Sequence, residues 1–202
     1  MSENGKQPLE ERVSDSLIMF VDFFYAVVFG LIVSDAFDKI IANENKTIGQ
    51  KTGDMVLVAA IFYFLAWDWL HARDLTVKNP YRGYLRFLME IVIAFCAYGV
   101  VFEVMGGRVF FLVYVTLILV LGALWAKWTL KEHPASPDNL ELRFIQKWQS
   151  IYSVITIIYF IGVRHYVGVP KIPSYLIGIV VILVWMLILE YDILLPPRKD
   201  LL

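Results

Sequence analysis

The sequence has little charge and almost no cysteine. Only 18% of its 202 residues are charged, and 18 lysines and arginines nearly balance 19 aspartates and glutamates. Because nucleic-acid binding needs a basic surface, we expect no nucleic-acid partner. The one cysteine, Cys96, lies in an apolar segment and leaves no second thiol for an intrachain disulfide, so we expect a small buried side chain.

The sequence also lacks the motifs of common enzymes and metal sites. It has no HExxH pattern, no glycine-rich phosphate loop and no serine–histidine arrangement that can be placed in space. The three histidines, His71, His133 and His165, fall at different heights along the predicted helices, so they provide neither a haem ligand pair nor a zinc cluster. We therefore expect no enzymatic activity, no cofactor and no metal site.

What the sequence does have is long apolar segments. Hydrophobic residues make up 59% of the chain and the mean hydropathy is +0.65, well above the range of soluble domains. About 20 residues of helix cross a hydrocarbon layer of about 30 Å, and all eight prolines lie outside the apolar segments. The prediction is a single all-α membrane domain over 1–202 with six spans, at about 17–33, 55–70, 84–104, 109–128, 144–163 and 174–192.

The termini of the chain are expected to be cytoplasmic. Twelve of the 18 lysines and arginines lie in, or within four residues of, the N-terminal segment, the second and fourth loops and the C-terminal segment, and such residues favour the inner side. Residues 1–16 are polar, and no small-residue cleavage site follows the first apolar segment. We therefore expect that segment to be retained as a span and not removed as a signal peptide.

Ionisable residues gather at the predicted cytoplasmic ends of the spans. Asp22 lies inside the first span, where a charged side chain costs about 2.5–3.5 kcal/mol and marks a candidate functional site. One interpretation is structural: Asp22 or Asp68 pairs with Arg86 and locks the first three helices together, an arrangement compatible with a pore alongside. The predicted cytoplasmic polar network consists of Asp22, Asp68, Trp69, His71, Arg86 and Glu90.

One stripe of the first span has the pattern of a pore lining. Asp22, Ala26, Phe29, Gly30 and Val33 follow the spacing of one helical face. On a pore-lining helix this would place a carboxylate at the cytoplasmic mouth, followed by an apolar constriction that gates by dewetting. In the alternative interpretation, Ala26 and Gly30 are small residues that let a neighbouring helix approach closely. Both interpretations stay open on sequence alone.

The motif at 20–22, Phe-Val-Asp, followed by FFYAVVFGLIV, resembles the Phe-Ser-Asp signature of the transmembrane protein 175 family. These proteins are potassium channels of endolysosomes with prokaryotic homologues. The six predicted spans, the cytoplasmic termini and the tryptophans and histidine of 67–71 are similar to the prokaryotic branch. The resemblance implies a homotetramer in a prokaryotic plasma membrane, with the first helix lining a pore for potassium.

When the sequence is aligned on Asp22, Val27 takes the position of the pore isoleucine of that family. Gly30 takes the position of the threonine that is linked to potassium selectivity. Val21 stands at the motif serine. This alignment places Val27, Gly30 and Ser34 on the face of the helix that lines the pore. With Ala26 from the helical stripe, the predicted pore-lining residues are Val27, Gly30, Ala26 and Ser34.

The Phe-x-Asp string also resembles the low-temperature-requirement A family of membrane proteins.

Two other functions stay open from the sequence. A proton-coupled carrier would use Asp22, Asp68 and Glu90 as a protonation relay, although spans without internal proline favour a channel over a carrier with broken helices. The other alternative is a membrane scaffold that transports nothing.

Overall fold

The computed structural model describes residues 9–106 and 110–167, which form helices joined by short turns and contain no strand. The sixth predicted span, 174–192, lies outside the described residues. Since the connections are short, consecutive helices run in opposite directions. We call the end where α2 stops and α3 starts the polar end. The helices are α1 (Leu9–Ala36), which continues into a π-helical turn (Phe37–Ile41), α2 (Ile48–Lys78), α3 (Tyr84–Met105), α4 (Phe111–Glu132) and α5 (Asn139–Val167).

Four of the helical segments are long and apolar enough to cross a membrane: Val13–Ile41, Ile48–Lys78, Tyr84–Met105 and Phe111–Glu132. This confirms an all-α fold of the kind expected for a membrane protein. The fifth predicted span, 144–163, lies within α5, which is helical but not among the four. The first half of α5 carries several polar side chains that lower its hydropathy.

The helices α1 and α2 are longer than predicted. The segment 34–41, which lies after the first predicted span, continues α1, and Lys39 pairs with Asp35 at 2.7 Å one turn before it. The helix α2 runs on past residue 70 to Lys78, because 71–79 contains no proline or glycine and the i,i+4 pair Asp74–Lys78 supports the last turn. It ends before Pro80, which disfavours a helical residue ahead of it.

The core lies between one face of α1 and the helices α2, α3 and α4. Val21, Tyr25, Val28 and Ile32 of α1 are buried in it at a helical spacing. A smaller apolar cluster at the polar end joins the end of α2 to α4 and α5. The packing therefore fixes the rotation of α1, which decides the direction of every other side chain on that helix. The smaller cluster consists of Leu75, Trp125, Ala126, Leu142 and Ile145.

Gly99 allows α3 to approach α4 closely. A Cβ atom there would lie 2.7 Å from the ring of Tyr114, so we expect Gly99→Ala to lower the free energy of unfolding by about 1–3 kcal/mol. Unfolding in mixed detergent micelles measures this, and Tyr114→Ala in the same chain should make the alanine far less costly. Gly30→Ala is the control, because no atom lies within 4 Å of a Cβ there. Equal losses at both glycines would contradict the close approach.

Candidate functional site

The carboxylate of Asp22 is paired with Arg73 at the polar end. The Nε of Arg73 donates to both Asp22 oxygens, at 2.8 and 3.1 Å. Both side chains are partly exposed, Asp22 by 27% and Arg73 by 43%. The sequence suggested Arg86 as the partner of Asp22, and the difference arises because α2 stays helical beyond residue 70 and carries Arg73 alongside α1.

Glu90 of α3 is the buried acid of this region, with only 5% of its surface exposed. Its Oε1 accepts a hydrogen bond of 2.7 Å from the indole N–H of Trp125 and one of 3.3 Å from the hydroxyl of Thr76. Tyr81, in the connection between α2 and α3, lies beside it. Burial, together with the negative charge of Glu90, raises the pKa of Tyr81 well above its usual value, so its hydroxyl remains a donor.

Arg86 is fully buried one turn before Glu90 on α3. Its Nη1 donates to Glu132 of α4 at 3.1 Å and to the backbone carbonyl of Asn79 at 2.9 Å. The guanidinium also stacks near the rings of Tyr81 and Trp125, 5.2 and 5.0 Å from their centroids. Arg86 therefore ties α3 to the ends of α2 and α4, and its charge is balanced by Glu132.

A small pocket connects Asp22 with Glu90. It has room for about one water molecule. Its lining includes the partly exposed pair Asp22–Arg73 and the buried residues Thr76, Tyr81 and Glu90, which are 1%, 6% and 5% exposed. The pocket therefore leads from the surface to a buried carboxyl group. Its polar lining consists of Asp22, Trp69, Arg73, Thr76, Tyr81 and Glu90.

A separate polar contact joins α2 to α5. The Nε2 of His71 lies 2.8 Å from an oxygen of Glu141, and the His71 ring stacks on Trp67 at a centroid distance of 5.4 Å. Asp68 belongs to this side, near His71 and Tyr25, and does not line the pocket. The structure thus brings Asp22, Trp69 and Glu90 around one pocket, sets Arg86 beside them, and places His71 and Asp68 apart.

The predicted pore-lining residues share the face of α1 that the rest of the described chain leaves uncovered. Ala26, Val27, Gly30 and Ser34 are exposed, Val27 by 42%. They lie opposite the buried face of the same helix. The stripe that included Asp22 and Phe29 is divided by the structure, because Asp22 turns to Arg73 while the Phe29 ring lies 4.9 Å from that of Phe62 on α2.

Several residues of the site were missed in the sequence. The predicted spans leave Arg73 and Thr76 in a loop. The absence of glycine and proline from 71–79 is the signal that both residues are helical. Trp125 lies near the end of the fourth predicted span, where nothing local distinguishes it from a tryptophan that anchors a helix at the membrane surface. Glu132 was assigned to the loop after the fourth span. No sequence signal pairs it with Arg86, which lies 46 residues away.

Within 9–106 and 110–167, no group of three histidine, cysteine or acidic residues is arranged to hold a metal ion. A further polar cluster lies at the opposite end of α1, where Tyr98 donates to Asp35 at 3.0 Å and the ammonium group of Lys39 lies 3.9 Å from the Phe102 ring centroid. This end of the described bundle therefore also contains ion pairs, Lys39–Asp35 and Lys46–Asp54.

Comparison with known proteins gives no match for this chain. No protein-family model, no curated protein and no solved structure is significantly similar to it. A function has to be inferred from the site and from the helix 1 motif.

Proposed function

We propose that this chain is a subunit of a potassium-permeable cation channel in which α1 lines the pore at the axis of a homotetramer. The observation that carries the proposal is the uncovered face of α1, where Val27, Gly30 and Ser34 lie opposite the buried face. In a symmetric assembly, four copies of this face would enclose a narrow path through the bilayer. One copy alone has no axis for it to line.

The composition of that face suits a gated path. Val27 would form an apolar ring, which blocks ions when it loses its water, and Gly30 on the next turn would leave a wider section. Ser34 contributes a hydroxyl group towards the far end. Ala26 lies at the edge of the face and allows neighbouring copies to approach closely.

Asp22 has a supporting role in this proposal. Its ion pair with Arg73 joins α1 to α2 at the polar end, so it would hold the pore helix in position. Because both groups are partly exposed, they would also lie near the mouth of the path and influence the local cation concentration. The motif resemblance at 20–22 supports the same assignment.

Potassium efflux from proteoliposomes tests the proposal, with a proton ionophore to relieve charge build-up. We expect the wild type to conduct and Val27→Trp to abolish the flux, because four indole rings would fill the constriction. The control is Val92→Trp on α3, a valine of similar exposure, 46% against 42%, on another helix. It should keep the flux.

Four results would contradict the channel. Flux that survives Val27→Trp would exclude an ion path along α1. A monomeric mass in detergent would exclude an axis shared by several copies. Transport that saturates and requires a proton gradient would instead identify a carrier. No flux of potassium, sodium or protons under any gradient would favour the scaffold.

A further inference from the structure

We propose that Glu90 is a reversible proton-binding site, loaded from the water at the polar end through the pocket that begins at Asp22 and Arg73. The inference concerns binding of a proton within one chain and does not require conduction. Any control of ion flux by this proton rests on the proposed channel function.

The first reason is the charge balance around Glu90. Arg73 is paired with Asp22 and Arg86 with Glu132, so each nearby cation already has its own carboxylate. Glu90 receives hydrogen bonds from neutral groups only, and no described lysine or arginine nitrogen lies within 4.0 Å of its oxygens. A buried carboxylate without an ion pair is costly, and a bound proton removes that cost.

The second reason is access. A fully enclosed acid could not exchange protons on a useful timescale, whereas this one lines a pocket that it shares with the partly exposed pair Asp22–Arg73. One water molecule in that space would reach from the polar groups at the mouth towards the buried end. The route does not pass along the exposed face of α1, so it is distinct from the proposed ion path.

The third reason is that the surroundings can support both states of the acid. The hydroxyl of Thr76 and the indole of Trp125 donate to the carboxylate, and Thr76 can rotate to accept from the protonated acid. The α4 helix contributes Trp125, which does not titrate, and Glu132, which faces Arg86. The other titratable or charged groups around Glu90 are Asp22 and Tyr25 on α1, Arg73 on α2, Tyr81 in the connection and Arg86 on α3. Asp68 of α2 lies near Tyr25 and does not line the pocket.

Infrared difference spectroscopy of the full chain in liposomes, between acidic and alkaline buffer, tests the site directly. We expect a carbonyl band of a protonated carboxyl group that appears on acidification and is lost in Glu90→Gln. Glu103→Gln is the matched control, because Glu103 is an acid on the same helix that does not line the pocket. It should keep the band. A band that survives Glu90→Gln, or its absence from the wild type, would overturn the proposal.

Two further variants test the proton site if Glu90→Gln does not fold. Trp125→Phe removes the 2.7 Å donor, so the band should shift in frequency if it belongs to Glu90. Arg73→Met opens the mouth of the pocket, so deuterium from the buffer should reach the acid faster than in the wild type. An unshifted band would overturn the assignment to Glu90, and an unchanged exchange rate would overturn the route.

The spectra and the flux measurements fail independently. If the band is present and no ion is conducted, the proton site stands and the channel does not. If potassium efflux is present and the band is absent, the channel stands and the proton site does not.

Discussion

Arg86→Ala is expected to lower the free energy of unfolding by about 3–5 kcal/mol, the usual cost of removing one partner from a buried ion pair. The side chain is fully buried, and its loss leaves Glu132 without its cation and the carbonyl of Asn79 without its donor. It also leaves a cavity between Tyr81 and Trp125. Reversible unfolding of the chain in mixed detergent micelles measures the change.

The matched control for this experiment is Arg82→Ala. Arg82 is exposed in the connection between α2 and α3, so removing it should change the free energy of unfolding by less than about 0.5 kcal/mol. Arg86→Lys should recover only part of the loss, since an ammonium group cannot reproduce the planar stacking between two rings. If Arg86→Ala were as harmless as Arg82→Ala, Arg86 would not tie the helix ends together.

Trp125→Ala is expected to cost a similar amount, about 3–5 kcal/mol, because Trp125 is 4% exposed and its removal leaves a large cavity. The ring packs in the apolar cluster with Leu75 and Leu142, stacks near Arg86 and donates to Glu90. Thermal or detergent unfolding of the purified variant measures the loss. Three helices meet at this ring, so we also expect weaker attachment of α5 to the bundle.

The variant Trp125→Phe separates packing from hydrogen bonding. It keeps most of the ring and removes only the N–H donor to Glu90, so it should cost about 1–3 kcal/mol. Trp128→Phe is the control, since Trp128 is only half-buried on the same helix and lies against Lys131. Equal stability of wild type and Trp125→Phe would contradict a contribution of the Glu90 hydrogen bond.

The helices that are long and apolar enough to cross a membrane were predictable because their signal is local. A run of apolar residues about 20 long, ended by glycine or proline, carries its own length and boundaries, as in α3 and α4. The concentration of ionisable groups at one end was also visible, since it needs only the order of the spans. The predicted end of α2 at residue 70 was wrong because a polar segment such as 71–78 resembles a loop when it is considered alone, although it contains no glycine or proline.

The sequence by itself therefore determined an all-α chain with membrane-length helices and an acid, Asp22, within the first. Only the tertiary structure decided which groups meet. Asp22 and Arg73 are 51 residues apart and Glu90 and Trp125 are 35 apart, and no local pattern links them. Their pairing depends on the rotation of each helix, which the buried faces set by packing. The same rotation left Val27 and Gly30 uncovered by the described part of the chain and turned Asp22 towards α2.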